Sequence, residues 1–338
     1  MSGYLRFPTL HDETVVFVCE DDLWTVPASG GLARRLSSGL AESSRPALSP
    51  DGAWVAFTGR EEGESEVTLM PAAGGALRRL THLGALSRVA GWTPDGKEVL
   101  FSSNAKSPFS QPGELFAVGT ADGALRRLGL GPADDLAYGP GGARVLGRNR
   151  RDPAFWKRYR GGTAGELWVD PRGLGAFRPL VRTGGNLAWP VWALGRVYFV
   201  SDHEGVGNLY SCSPSGRDLR RHTRHRDFFA RNLSSDGRRI VYQLGGTLRL
   251  FDPAAGRDAA LAVELRSPRT QRARRFVDAA RYLEDYDLHP QGHSLAVTFR
   301  GKLATLGNWE GAAVQHGVPD GVRHRLARWL GDGSRLVV

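Results

Sequence analysis

The feature that most constrains this chain is a repeat. A turn signal of the Asp-Gly kind recurs at Asp51-Gly52, Asp95-Gly96, Gly141-Gly142, Asp236-Gly237, Gln291-Gly292 and Asp332-Gly333, with weaker copies at His11-Asp12 and Leu194-Gly195. Successive turns lie 39 to 55 residues apart. Each is followed by an apolar run such as TVVFVC, AWVAFTG, KEVLFSS or RVYFVS. Asp-Gly between apolar runs marks a hairpin, because the turn needs a positive φ that glycine adopts freely. A second run then opens on an acid, Asn or Thr followed by Leu or Val: DDLWTVP, SEVTLMP, GELFAVG, GELWVDP, GNLYSCS and GTLRLFD. A short polar strand follows, as in GGLARRLS and GGALRRLT. Four strands per unit of about this length is the signature of a β-propeller blade. A β-sandwich would not repeat one four-part signature six times.

The spacing predicts an all-β chain with a six-bladed propeller of four-stranded antiparallel blades over residues 1–265, a basic linker over 266–275, and the first blades of a second, incomplete propeller over 276–338. The chain stops at Val338 inside a strand that has only just left its turn, so the second propeller reads as cut. No apolar run reaches the roughly 18 residues of a membrane helix. The start, MSGYLRFPTLHDE, has no basic segment leading into an apolar one, so no secretory signal is read. Cys19 and Cys212 sit in strand-like runs and read as buried free thiols. These features together predict a cytoplasmic protein.

The formal net charge is +10, concentrated in Arg148–Arg160, Arg217–Arg226 and Arg266–Arg275. Nucleic-acid binders gather such charge on one face, and clusters this far apart in sequence do not point there. RNRRDPAFWKRYR, at 148–160, is the most informative of the three. It lengthens blade four between its second and third strands and mixes six cations with Phe155, Trp156 and Tyr159. It reads either as an insertion packed on a neighbour or as a contact site for acidic groups, peptide carboxylates included. Trp24 and Trp168 occupy equivalent places in two repeats and read as packing between blades. No G-x-S-x-G elbow, H-E-x-x-H or C-x-x-C occurs, so neither a serine nucleophile nor a metal site is signalled. His222 and His225 lie among arginines that would repel a bound cation, and Asp285-Tyr-Asp287 lacks the rest of a calcium loop. No cofactor is expected, and no histidine is paired by any signature with an exposed serine.

FVCEDDLWTVPASGGLARRL (17–36), GRNRRDPAFWKRYRGGTAGELWVD (147–170) and YFVSDHEGVGNLYSCSPSGRDLRRHT (198–223) resemble the amino-terminal region of the tricorn proteases. WKRYRGGTAGELW is the most specific stretch, and the resemblance runs from residue 4 to the end. It implies the first propeller and the opening of a seven-bladed second one in a cytosolic serine peptidase. The catalytic residues of that peptidase would lie in a distant carboxy-terminal core. It also implies oligopeptide substrates, remaining domains of the same polypeptide as partners, a homo-oligomer, no membrane and no nucleic acid. Members anchor a substrate's carboxy terminus with basic residues on a first-propeller loop. The corresponding stretch here, THLGALSRVAGWTPDG, offers only Arg88 and is shorter than the archaeal pattern. Arg150, Arg151, Lys157 and Arg158 of the insertion are the other candidate anchors. The readings kept beside this one are a free-standing TolB-like binding propeller, the gating propeller of a prolyl-oligopeptidase-type enzyme, and a nucleic-acid-binding propeller.

Overall fold

The expected turns close hairpins for identifiable reasons. At Ser49–Gly52 the Asp51 carboxylate accepts from the Ser49 hydroxyl at 2.5 Å and the Ala53 N–H at 3.0 Å, while Gly52 takes a φ of 70°. Thr93–Gly96 repeats this, with Asp95 accepting from Thr93 at 2.7 Å and Gly96 at a φ of 69°. A side chain bonded to its own turn fixes the hairpin register, and glycine supplies the left-handed residue without strain.

A computed structural model describes residues 3–39, 41–61, 63–107, 113–149, 159–269, 278–318 and 321–338. It divides into two compact units, Met1–Thr270 and Gln271–Val338. The first unit holds six four-stranded antiparallel sheets, each built from one continuous stretch of the chain. Sheet one comprises Arg6–His11, Thr14–Cys19, Asp22–Pro27 and Arg34–Arg35. The inner strands of sheets two to six are Ser43–Leu48, Ser87–Trp92, Asp135–Tyr138, Leu187–Ala193 and Ala230–Ser235. Helix among the described residues amounts to one 3-10 turn, Pro140–Gly142, and one short segment, Ala279–Tyr282.

The core is a set of apolar layers between facing sheets. Val16, Val18 and Leu23 of sheet one meet Leu48, Phe57 and Met70 of sheet two. Val145, Leu167 and Val169 of sheet four meet Phe199, Tyr210 and Cys212 of sheet five. Alternating residues of each strand enter the layers on its two sides, which is why the apolar runs read as continuous. Trp24 is 3% exposed and donates its indole N–H to the Cys19 carbonyl at 3.0 Å. Trp168 is half-buried against the layer between sheets three and four. Burial pushes both thiols, Cys19 and Cys212, up to about 11.

The acid or amide that opens the third strand of sheets one, two and five proves to be half of a clasp. Ser37 donates to Asp22 at 2.9 Å, Thr81 to Glu66 at 2.6 Å and Thr223 to Asn208 at 2.8 Å, each pair separated by 15 residues. The same hydroxyl oxygens accept the N–H of Leu23, Val67 and Leu209, each at 2.9 Å. Arg35 and Arg79 of the outer strands pair with Asp22 and Glu66. The clasp satisfies a buried carboxylate and ties the outer strand to the third, where the ladder itself is only two residues long.

Sheets six and one meet without exchanging a strand. Leu5 donates its N–H to the Gly246 carbonyl at 3.0 Å, and Arg239 reaches Glu13 at 3.0 Å and the Asp12 carbonyl at 2.7 Å. Beyond sheet six, Val263–Glu264 pairs in parallel with Gly31–Leu32 on the rim of sheet one. The opening of the expected linker is held as well: Ser267 bonds Glu20, and Arg269 lies 4.0 Å from it. Residues 270–275 of that linker lie outside the described residues. The second unit contains one four-stranded sheet, whose strands begin at Leu283, Ser294, Lys302 and Val314, and a hairpin of Arg328–Trp329 with Leu336–Val337.

Candidate functional site

The inner strands of the six sheets surround one cavity of about 560 Å³. Its wall runs from Phe7–His11 through Arg45–Pro50, Val89–Pro94, Asp135–Pro140 and Trp189–Gly195 to Asn232–Gly237. Sheets two to six therefore contribute their inner strand and the start of the hairpin turn that follows, and sheet one its inner strand alone. The wall is mostly uncharged: His11, Arg45, Asp135, Tyr138 and Asp236 are its titratable side chains. Prolines and indoles supply much of the rest, among them Pro46, Pro94, Pro190, Trp92 and Trp189. A cavity of this size and composition suits a small or extended organic ligand.

Five of the six inner strands carry a β-bulge on this wall. In sheets one, two, five and six the bulged residue is left-handed: Phe7 at a φ of 49°, Arg45 at 49°, Trp189 at 51° and Asn232 at 52°. Sheet three bulges at Ala90 and puts Gly91 at 148°. Opposite the bulges stand the buried aromatics Phe17, Phe57, Phe101, Phe199 and Tyr242. Sheet four has Leu146 there and an unbroken register. The extra residue goes with a large ring in the second strand, and the bulge re-aims its own side chain toward the axis. Phe7-Pro8, Arg45-Pro46 and Trp189-Pro190 were the available sequence signal, since proline inside a strand marks an edge or a bulge.

Arg88 is not on a loop. It is the second residue of the inner strand of sheet three, opposite Ser102. By register the equivalent positions are Arg6, Ser44, Asp135, Ala188 and Arg231. Sequence reasoning missed Arg6 and Arg231, whose shared level becomes visible only once the strands are aligned. Arg6 pairs with Asp21 at 3.0 Å and lies 3.9 Å from Glu42. Arg150, Arg151, Lys157 and Arg158 lie outside the described residues, as do Phe155 and Trp156. The two remaining cations of the insertion are structural. Arg148 donates to the Pro132 and Leu130 carbonyls, each at 2.9 Å, and covers the Trp168 ring. Arg160 donates to Asp202 at 3.1 Å, and that carboxylate also accepts the Asn186 N–H at 2.7 Å.

The structure does pair histidines with serines, which no sequence signature showed. Ser211 Oγ lies 2.8 Å from His222 Nε2, and Ser201 Oγ lies 2.9 Å from His203 Nδ1. Both serines are fully buried, so neither hydroxyl can reach a peptide carbonyl. Burial, with Arg196 and Arg220 adding to it, brings His222 down to about 4. It is a neutral packing residue against Tyr198 and Phe251.

Residues 2–257 match the model of the tricorn protease N-terminal beta propeller domain. The chain belongs to the tricorn protease family. It is 36% identical over 344 residues to a tricorn protease homolog of Saccharolobus solfataricus, covering 100% of this chain and 32% of that protein. It is 41% identical over 348 residues to a putative tricorn protease homolog 2 of Streptomyces coelicolor, covering 99% and 29%. The crystal structure of the tricorn protease superposes with a TM-score of 0.79 at 30% identity, over 97% of this chain and 32% of that one. The chain thus spans about a third of the length of these tricorn relatives. In Sulfurisphaera tokodaii, putative tricorn-like N-terminal and C-terminal subunits match 50% and 48% of this chain at 31% and 36% identity.

Proposed function

We propose that this chain is the propeller scaffold and gate of a larger cytosolic serine-type peptidase that trims oligopeptides released by other proteases. The observation that carries the reading is the axial cavity ringed by six inner strands in a chain of this family. Such a cavity selects what passes by width and wall chemistry. The chemistry itself belongs to a core elsewhere in the assembly, because acyl transfer needs an accessible nucleophile, a base and oxyanion donors together. In this reading the partners are oligopeptides, further domains of the same polypeptide and further copies of it. Residues 276–338 open a second propeller, and 266–275 join the two. Arg88 and the insertion residues Arg150, Arg151, Lys157 and Arg158 are the proposed contacts for peptide carboxylates.

The test incubates the purified chain with short fluorogenic peptides, alone and then with the carboxy-terminal remainder of its parent polypeptide. Turnover only after complementation is expected. Turnover by the chain alone, abolished by replacing a serine within residues 1–338, would overturn the reading. Arg88→Ala in the complemented complex should raise KM for peptides with a free carboxy terminus and leave amidated peptides unaffected.

A further inference from the structure

The seam between sheets six and one differs in kind from a sheet. Its inner part is an apolar layer in which Leu5, Leu10, Val15 and Phe17 meet Val241 and Leu248. Its outer part is a strap, residues 261–269, laid over sheet one. The strap's backbone hold is the two-residue ladder of Val263–Glu264 with Gly31–Leu32, flanked by the Gly31 N–H to the Ala262 carbonyl at 2.8 Å and the Ala33 N–H to the Glu264 carbonyl at 2.9 Å. Leu261, Val263 and Leu265 pack onto the layer beneath. Gly31 and Leu32, which receive the strap, are exposed. The fit is close: a Cβ on Gly30 would stand 2.7 Å from the Ala262 carbonyl oxygen, and one on Gly3 would stand 2.7 Å from a Leu265 methyl.

We propose that this strap is a releasable latch, so that the axial cavity can open sideways between sheets six and one as well as along its axis. Peeling the strap breaks no ladder within either sheet, because no strand is shared between them. A two-residue pairing on an exposed rim opens more readily than a sheet interior, which must lose a full ladder and a buried layer. Once the strap is off, the seam keeps the Leu5–Gly246 bond, the Arg239 contacts and the inner layer. The walls that would part are Phe7–His11 and Asn232–Gly237, both of which line the cavity. The inference concerns only the closure of the ring and holds whatever passes through it.

The experiment follows amide hydrogen exchange in the full 338-residue chain. Leu32→Cys with Glu264→Cys joins a directly paired position, so a disulfide there fixes the strap. Oxidation should slow exchange of the Leu5 and Ala33 amides by about tenfold, and reduction should restore it. Gly30→Val should do the reverse, speeding those amides by about tenfold while the clasp amides of Val67 and Leu209 keep their rates. If the disulfide forms and Leu5 exchanges as before, the latch is wrong. It is equally wrong if all slow amides of the oxidised chain shift together. Should Gly30→Val fail to fold, the cross-linked chain decides alone.

Discussion

Sheets two and four share one plan and meet its demands differently. Sheet two has the full apparatus: a bulged inner strand at Arg45-Pro46, Phe57 opposite the bulge, and Glu66 clasped by Thr81 and Arg79. Sheet four has a four-residue inner strand without a bulge, Leu146 in place of the ring, and Pro179 where an arginine would stand. Its Glu166 is exposed and only receives the Trp168 indole N–H at 3.0 Å. What secures it is ionic, partly within the sheet and partly from sheet five. Asp170, with its side chain 1% exposed, takes the Arg144 guanidinium at 2.6 Å, and the Asp202–Asn186 pair of sheet five holds the end of its insertion. The repeat keeps its geometry without the clasp, with an ion pair between its second and third strands and a sheet-five carboxylate on its insertion in place of it. The sheet that carries the long insertion is thus fastened by an ion pair between adjacent strands and not by the hydroxyl–acid clasp.

Four measurements test that contrast, from the largest effect to the smallest. Phe57→Ala empties a fully packed site and should cost about 3–5 kcal/mol in denaturant unfolding. A loss under about 1 kcal/mol would mean that the ring is not what the bulge accommodates.

Sheet four should instead answer to pH. Burial raises the Asp170 carboxyl, but Arg144 and the Gly175, Leu174 and Arg172 N–H groups outweigh it and bring it down to about 2. A depressed carboxyl stabilises the fold above its ordinary value near 3.9, by about 2.5 kcal/mol, and loses that contribution as pH falls through about 2. Asp170→Asn should therefore destabilise the chain near pH 7 by about that amount and flatten its acid unfolding curve. Parallel acid limbs for the two proteins would contradict the assignment.

Removing the clasp acid separates the sheets directly. Glu66→Ala strands the Thr81 hydroxyl and the Gly84 N–H, which Glu66 receives at 2.7 Å, and should cost about 1–3 kcal/mol. Glu166→Ala, its exposed counterpart, should stay within about 0.5 kcal/mol. Equal losses would erase the distinction. At the rim, Arg34 reaches the Ala73 carbonyl of the next sheet at 3.1 Å, and Arg178 reaches that of Ser215 at 3.5 Å. Arg34→Ala and Arg178→Ala should each change the unfolding free energy by no more than about 0.5 kcal/mol.

The propeller was legible because its signals are local. An Asp-Gly turn and the apolar run after it sit within ten residues, and Ser49–Gly52 and Thr93–Gly96 fold as their spacing predicts. The clasp was half legible. The acid before Leu stood out as a repeating character, but its Ser or Thr partner lies 15 residues on, beyond any single element. The level shared by Arg6, Arg88 and Arg231 was hidden, because a bulge moves the register by one residue in each strand that has one. The Ser–His pairs were invisible for a related reason: Ser211 and His222 meet only when the third and outer strands of sheet five fold against each other.

That each four-stranded sheet of the first unit comes from one continuous stretch of chain also bears on how such a chain can change over generations. Where a ring is sealed by a sheet assembled from both termini, adding or losing one repeat disrupts that composite sheet and unseals the ring. Here a duplicated or deleted unit would arrive or leave as a finished piece, and only the fit between the two end pieces would need to be tuned again. The ring behaves as a row of tiles bent round to touch, in which the number of tiles and the grip of the last on the first are separate problems for selection.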